Sequence, residues 1–417
     1  MQDLSLQHIS TREEMIRFLD GYAAERMEEL DARKLKRPVA KTHMWELLNG
    51  SRTCTTDRLA SILARQGLHL KPIDDTLCRV SGPQQDVGFL ERLTPRIAAL
   101  YSTLPSDQLL RLSRRVVAST PDIDHVWLSG LTFDVLWGLV AKLSHPSRFT
   151  RLAFTHDSIF SVDDHTADGE DDEDSESEDS TEGDFEQVVE RRATRFGLVD
   201  RVGLVQEKLV QLQQLYGPFN AISQLRFPSP VSRGGHDFWH DGRVTNKSAS
   251  FRDHRSHVLY VVRIYEKLLR STEEQAWYSV RESIGVPGQF RKIVGAPVVI
   301  GFSERLPREV FDHWILATFG RRLNKFRLWG HPIRLGPTKV HVYGVDRHLY
   351  QPLFLELTST GCTAIVPNGT CGNTVHRLVT NIQRYLDPAA SVFIGTKRYR
   401  DVVSESAQGI PYEPSPQ

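Results

Sequence analysis

The chain has 417 residues, too many for one ordinary core, so two or three domains are expected. Apolar residues make up 40% and charged residues 25%, which excludes a disordered chain, and no apolar run is long enough to span a bilayer. Lys plus Arg balance Asp plus Glu at 52 each, but Asp163 to Glu186 holds 14 acidic residues and no Lys or Arg, so the rest of the chain carries +14 and favours polyanionic partners.

In chain order, residues 1–120 read as a helical domain. Thr11 and Glu14 form a capping-box start, and Met15, Ile16, Leu19, Tyr22 and Ala23 recur at helical spacing. Further helices are expected over Val87–Ser102 and Ser106–Ser119. Between the first helix and these two lies PVAKTHMWELLNGSRTCTTDRLASILARQGLHL, residues 38–70. Here Leu47-Leu48-Asn49-Gly50 ends one helix at a turn, and Thr55 or Thr56 caps the next, with Leu59, Ile62 and Leu63 as its packing face. This pattern resembles the Xre/Cro-type (lambda-repressor-like) helix-turn-helix, over about residues 12–78. The resemblance implies DNA as a partner. Lys41, Thr42, His43 and Glu46 would lie near the recognition-helix N-terminus, with Ser51 and Arg52 beyond the turn, Arg52 suited to a phosphate. The basic cluster Arg33, Lys34, Lys36, Arg37 and Lys41 points the same way.

From Asp124 short β-rich runs alternate with single helices, so the fold class expected for the whole chain is α+β. Residues 124–227 and 298–402 read as two similar β-α-β-β-β-α-β units, a possible internal duplication offset by roughly 170 residues. Helices are expected over Phe133–Leu143 and Leu204–Tyr216 in the first, and over Arg308–Phe319 and Thr374–Leu386 in the second. The acidic run, residues 163–186, then falls in a hairpin loop of the first unit, as a solvated segment or a decoy that competes with DNA. Residues 228–297 connect the units and include a largely buried helix over Arg255–Arg270. The tail, residues 403–417, reads as disordered.

The chemically densest stretch is residues 234–257. His236, His240, His254 and His257 accompany Asp237, Asp241 and Asp253, a set able to bind Zn²⁺, but its order and spacing match no zinc motif, so no metal is assigned and a polar loop with Asp and Arg paired to each other is expected. Arg243, Lys247, Arg252 and Arg255 suit a phosphate or carboxylate. A second anion-binding candidate is the strand-to-helix turn Asn368–Thr374, with Gly369, Thr370, Gly372 and Asn373, where backbone N–H groups converge at a helix N-terminus. No nucleophile elbow or carboxylate dyad stands out, and no catalytic residue or cofactor is assigned. The expectation is a DNA-binding transcriptional regulator, a homo-oligomer with a sensing or dimerising body that takes a small-molecule or anionic ligand. The alternatives are an enzyme acting on nucleic acid and a partner-binding protein docking through its acidic loop. The four scattered cysteines and the absence of a leader pattern at the start place it in the cytoplasm, at the nucleoid in a bacterium or archaeon, without membrane association.

Overall fold

Two sheets and the helices between and around them make up the α+β fold. The computed structural model describes residues 9–33, 38–49, 52–157, 159–161, 193–282, 291–320 and 324–412. The first part of the chain runs α1 (Arg12–Ala32), β1 (Ala40–Asn49), β2 (Arg52–Thr53), α2 (Thr56–Ala64), β3 (His69–Pro72), β4 (Leu77–Ser81), β5 (Asp86–Arg92), β6 (Ile97–Ser102) and α3 (Ser106–Ala118). It continues with β7 (Ile123–His125), α4 (Gly130–Leu143), β8 (Phe149–Asp157), β9 (Ala193–Arg201), α5 (Val202–Leu215), β10 (Ile222–Pro228), β11 (Gly235–Trp239), β12 (Arg243–Asn246) and α6 (Phe251–Ala276). The second part holds β13 (Trp277–Glu282), β14 (Arg291–Val294), β15 (Val298–Gly301), α7 (Arg308–Phe319), β16 (Leu328–Gly336), β17 (Lys339–Asp346), β18 (Pro352–Thr358) and β19 (Gly361–Pro367). It ends with α8 (Gly372–Tyr385), β20 (Ser391–Ile394), β21 (Lys397–Arg398) and α9 (Tyr399–Ala407).

The first sheet has the order β3-β4-β5-β6-β1-β12-β11-β10-β8-β9, with β2 and β7 also paired to β1. The second has the order β16-β17-β18-β19-β15-β20-β21, with β13 joined to β19 and β14 to β13. On one face of the first sheet, Trp45 and Leu47 pack against Leu59 and Ile62 of α2 and Leu109 and Val116 of α3. On the other, Ala40 and Met44 belong to a core with Met15 and Leu19 of α1 and Phe251 and Val258 of α6. That core continues without a break into the second sheet through Val298, Leu355 and Val379. The long helix α6 touches strands of both sheets and also α8 and α9, so it is the spine that joins them.

Several expectations hold. Thr11 and Glu14 do form a capping box on α1. The helices α3, α4, α5, α6, α7 and α8 lie where the apolar spacing puts them. The strands β8 and β9, which flank the acidic run, pair antiparallel from Phe149↔Arg201 to Asp157↔Ala193. The run itself lies outside the described residues.

Other expectations are corrected. Residues 40–49 form a strand at the centre of a sheet where a recognition helix was expected, and Val87–Ser102 forms the β5–β6 hairpin, not a helix. Both stretches are buried on both faces, which removes the period-two polarity that marks a strand; Met44, Leu47 and Leu48 then mimic helical spacing. Residues 1–120 are therefore not a separate helical domain, because β1 pairs with β6, β7 and β12 in one sheet. Residues 228–297 are likewise part of both sheets through β11, β12 and β13. The two units share a strand–helix–hairpin opening, but the second inserts β18 and β19 before its second helix. The tail is ordered further than expected: α9 runs to Ala407, and Tyr412 packs on α6.

Candidate metal centre

The β11–β12 hairpin and the first turns of α6 bring three of the four candidate histidines together. Ser250 caps α6 by accepting from the Asp253 N–H, which starts the helix so that Asp253, His254 and His257 all point inward. His236 on β11 faces them. His236 Nε2 lies 2.9 Å from Asp253 Oδ2, and His257 Nδ1 lies 3.3 Å from Asp253 Oδ1. All three side chains are buried. Ligand atoms of His236, Asp253 and His257 fall within 4.8 Å of one another, as one bound cation would require.

A second layer orients these groups. His254 Nδ1 is 3.3 Å from His236 Nδ1, and His254 Nε2 is 2.7 Å from Thr42 Oγ1. Tyr412 Oη is 3.0 Å from His257 Nε2. Burial pushes His257 down to about 3 and His254 well below the ordinary histidine value, so both rings are neutral, the form a metal takes. Burial opposes ionisation of Asp253, but hydrogen bonding and charge from His236, with His257 and Ser229, hold its carboxyl below the usual range. A cavity of about 270 Å³ opens beside the cluster. Its lining includes His257 and Tyr412, the apolar Val140, Leu143 and Phe227, and the polar His145 and Arg148, the last donating to the Ser232 and Pro230 carbonyls.

The remaining candidates in the stretch go elsewhere. His240 takes a hydrogen bond from Arg384, which also binds Asp157 at 2.7 Å. The four cations expected to share an anion diverge: Arg255 pairs with Glu91 at 2.6 and 2.8 Å, Arg252 with Glu13 at 2.7 Å, and Lys247 reaches Asp237 at 3.8 Å. Arg243 lies on the opposite sheet face, its guanidinium 4.3 Å from the Trp239 ring centre. Register separates them: Asn246 pairs with His236, so Arg243 and Thr245 point the other way.

The residues expected to touch DNA are inside the sheet. Lys41, Thr42, His43 and Glu46 on β1 are all at least nine-tenths buried. Arg52 belongs to β2, paired to Asn49, and Ser51 lies outside the described residues. Glu46 instead anchors a network that ties the two sheets together. Its carboxylate accepts from Arg96 at 2.5 Å and from the Cys371 thiol at 3.0 Å, with His348 Nε2 at 3.5 Å; Arg96 also reaches Glu273 at 2.8 Å. Arg96 already supplies the positive charge there, so a divalent cation would meet a like charge.

The turn before α8 holds an anion, but one from the chain itself. Gly372 N–H donates to Glu273 Oε1 at 3.0 Å, and Asn373 N–H to the Cys371 sulfur at 3.3 Å. Asn373 also donates to the His125 carbonyl, and Thr370 to that of Pro352, while Gly369 makes the left-handed turn at φ 97°. These residues are committed to the interior, so the turn is not an open anion site.

Sequence reasoning named Asp253 only as one acid among several. The spacing Asp253–His257, four apart on one helix face, was the available signal. Tyr412 carried no such signal, since it lies in a Pro-rich tail far along the chain. No helix among the described residues is long and apolar enough to cross a membrane.

Residues 4–400 match the sequence model of the MJECL33-like protein family. Over 151 residues the chain is 24% identical to the uncharacterized protein MJECL33 of Methanocaldococcus jannaschii, a match covering 36% of this chain and 34% of that protein. No solved structure matches. With nearly its whole length matched by that family's model, the chain belongs to the MJECL33-like family.

Proposed function

We propose that the chain is a metal-dependent enzyme whose ion is held by His236, Asp253 and His257. The observation that carries this reading is the convergence of two buried imidazoles and a carboxylate, from separate elements, beside a cavity that reaches one of them. Two histidines and one carboxylate suit a first-row divalent ion and leave coordination positions open for water and substrate. A water activated there is a hydrolytic nucleophile. A substrate would lie against the apolar lining, with the exposed His145 available to its polar end.

The second layer accommodates the ion. Without one, His236 Nε2–H donates to Asp253, and His254 links His236 Nδ1 to the Thr42 hydroxyl. With an ion at His236 Nε2, His236 Nδ1–H would donate to His254, and His254 Nε2–H to Thr42. His257 Nδ1 would exchange its contact with the Asp253 carbonyl for the ion, its proton moving to Nε2 beside Tyr412.

The test is metal analysis of purified protein before and after chelation, in the parent and in His257→Ala and Asp253→Asn. About one ion per chain in the parent, lost in both variants, is expected, with chelation lowering the melting temperature. A parent that binds no first-row ion ends the proposal. Chromogenic phosphate and ester substrates and labelled DNA, each with and without the ion, then test for catalysis. A bound ion with no turnover on any of them reduces the centre to a structural one.

A further inference from the structure

The second sheet buries one face and leaves the other open, and the open face is apolar at its centre. β17 and β18 alternate between buried and outward positions: Val340, Val342, Leu353 and Leu355 enter the core, while Tyr343 and Phe354 point away from it. Register puts Tyr343 beside Phe354 and Phe354 beside Ile365, with the first two rings 5.0 Å apart. Trp329 and Ile333 of β16 and Val299 of β15 share this face through the same register. Trp329 is 64% exposed, Tyr343 60% and Ile333 55%.

The outer face of an antiparallel sheet is ordinarily polar, because apolar-in and polar-out alternate along each strand. A contiguous apolar patch in that place marks a surface that another molecule covers. The face runs across six strands, in the order β16, β17, β18, β19, β15 and β20. At ~4.8 Å between strands and ~3.3 Å per residue it measures about 600 Å². Two such faces together cover about 1,200 Å², above the ~1,000 Å² that a specific interface needs.

Charge selects the occupant. Glu356 bonds both Lys339 and His341 at 2.7 Å, so the ions within the face offset one another. Arg398, opposite Phe393 across β20 and β21, stands at the rim. A nucleic acid, or the acidic run of residues 163–186, needs a cluster of cations that these rows lack. A second copy needs none: across a two-fold axis the same apolar centre meets itself, and the paired ions stay together. We propose that the chain is a homodimer in which two copies pack the open faces of their second sheets against one another, about 10 Å apart as in a β-sandwich. Trp329, Tyr343 and Phe354 supply the large rings that anchor such an interface, with Lys339 and Arg398 in its polar rim. No residue lining the cavity beside the metal centre lies on this face, so the pairing is independent of that site.

Sedimentation velocity on the full chain from about 1 to 50 µM tests this. A dimer is expected, with a melting temperature that rises with protein concentration. Trp329→Lys and Tyr343→Lys are each expected to weaken the dimer about a hundredfold or more. Their circular dichroism is expected to match the parent's, because both side chains are exposed in the single chain. Phe354→Lys is a third variant of the same face, should either of these fold poorly. Val199→Lys, at an exposed apolar position on β9 of the other sheet, is expected to leave the dimer intact. A parent that stays monomeric over the whole range overturns the proposal. So does a dimer that the folded lysine variants retain. A monomer that binds vesicles of phosphatidylcholine and phosphatidylglycerol, and loses them in Trp329→Lys, overturns it in favour of a lipid surface.

Discussion

Arg377 on α8 is 1% exposed and bridges two carboxylates, Asp124 in the middle of β7 and Asp346 at the end of β17. Arg327 also binds Asp124, at 3.0 Å, so two cations and two anions form a neutral buried quartet. Burial opposes the charge on Asp124, but Arg327 and Arg377 hold its carboxyl far below the usual range. Removing one member strands a buried charge. Arg377→Ala is therefore expected to cost about 3–5 kcal/mol in urea denaturation. A loss of well under 1 kcal/mol would mean that water enters the quartet and replaces the guanidinium. None of this was legible in the sequence, where Arg377 is one cation on an amphipathic helix and its partners lie more than 30 and 250 residues away.

Helices whose apolar residues keep a helical period are legible in the sequence, even α8, which is buried on almost all sides; the strands β1, β5 and β6, buried on both faces, are not. α3 alternates polar and buried positions at helical spacing and was found. β1, β5 and β6 offer no polar face, so their type depends on neighbours that local pattern cannot see. The β8–β9 pair is a favourable middle case, found through its long separating insert. Its register closes at Asp157↔Ala193, so the strands meet without the acidic run. Deleting Asp163–Asp184 is expected to leave the melting temperature nearly unchanged, since shortening a long polar loop alters closure entropy by only about 1 kcal/mol. Calorimetric melts check this. If the deletion raised DNA affinity and steepened its salt dependence, the run would be acting as a decoy. Loss of folded protein would place the run in the core instead.

Across the whole molecule, acid should act first through buried neutral histidines. Burial pushes His43 and His376 down to about 3 and His125 to about 4. Unfolded, each titrates near 6.5, so below that pH the unfolded chain binds protons that the folded chain refuses. Their contribution is complete above pH 6.5 and is lost as pH falls towards 3–4. His348 has the opposite sign: burial disfavours its charge, but Glu46 and Asp124 raise it, so its contribution is complete below 6.5 and is lost only as pH rises. Glu46, held down at about 2 by Arg96 against burial, matters only below 4.5. Between pH 6.5 and 5 the unfolding free energy from urea melts is therefore expected to fall steeply, by about 1 kcal/mol per pH unit for each of these histidines, with His257 of the metal-free chain adding to them. A flat free energy over that range would show these rings protonated in the folded state.

The sequence by itself determined the α+β class, the helices of the second half, the hairpin around the acidic insert and the chemical density of residues 234–257. Those features rest on composition, local periodicity and turn residues, which short stretches of chain contain. Tertiary structure alone decided that residues 40–49 are a central strand, which takes Lys41, Thr42, His43 and Glu46 away from any DNA and into the interior. It also decided which histidines meet. His236, His254 and His257 converge because β11 lies under the first turns of α6, while His240, four residues from His236, is turned to Arg384. Which face a side chain takes is set by strand register and by the elements packed on each face. Those are contacts between distant segments, and no local pattern encodes them.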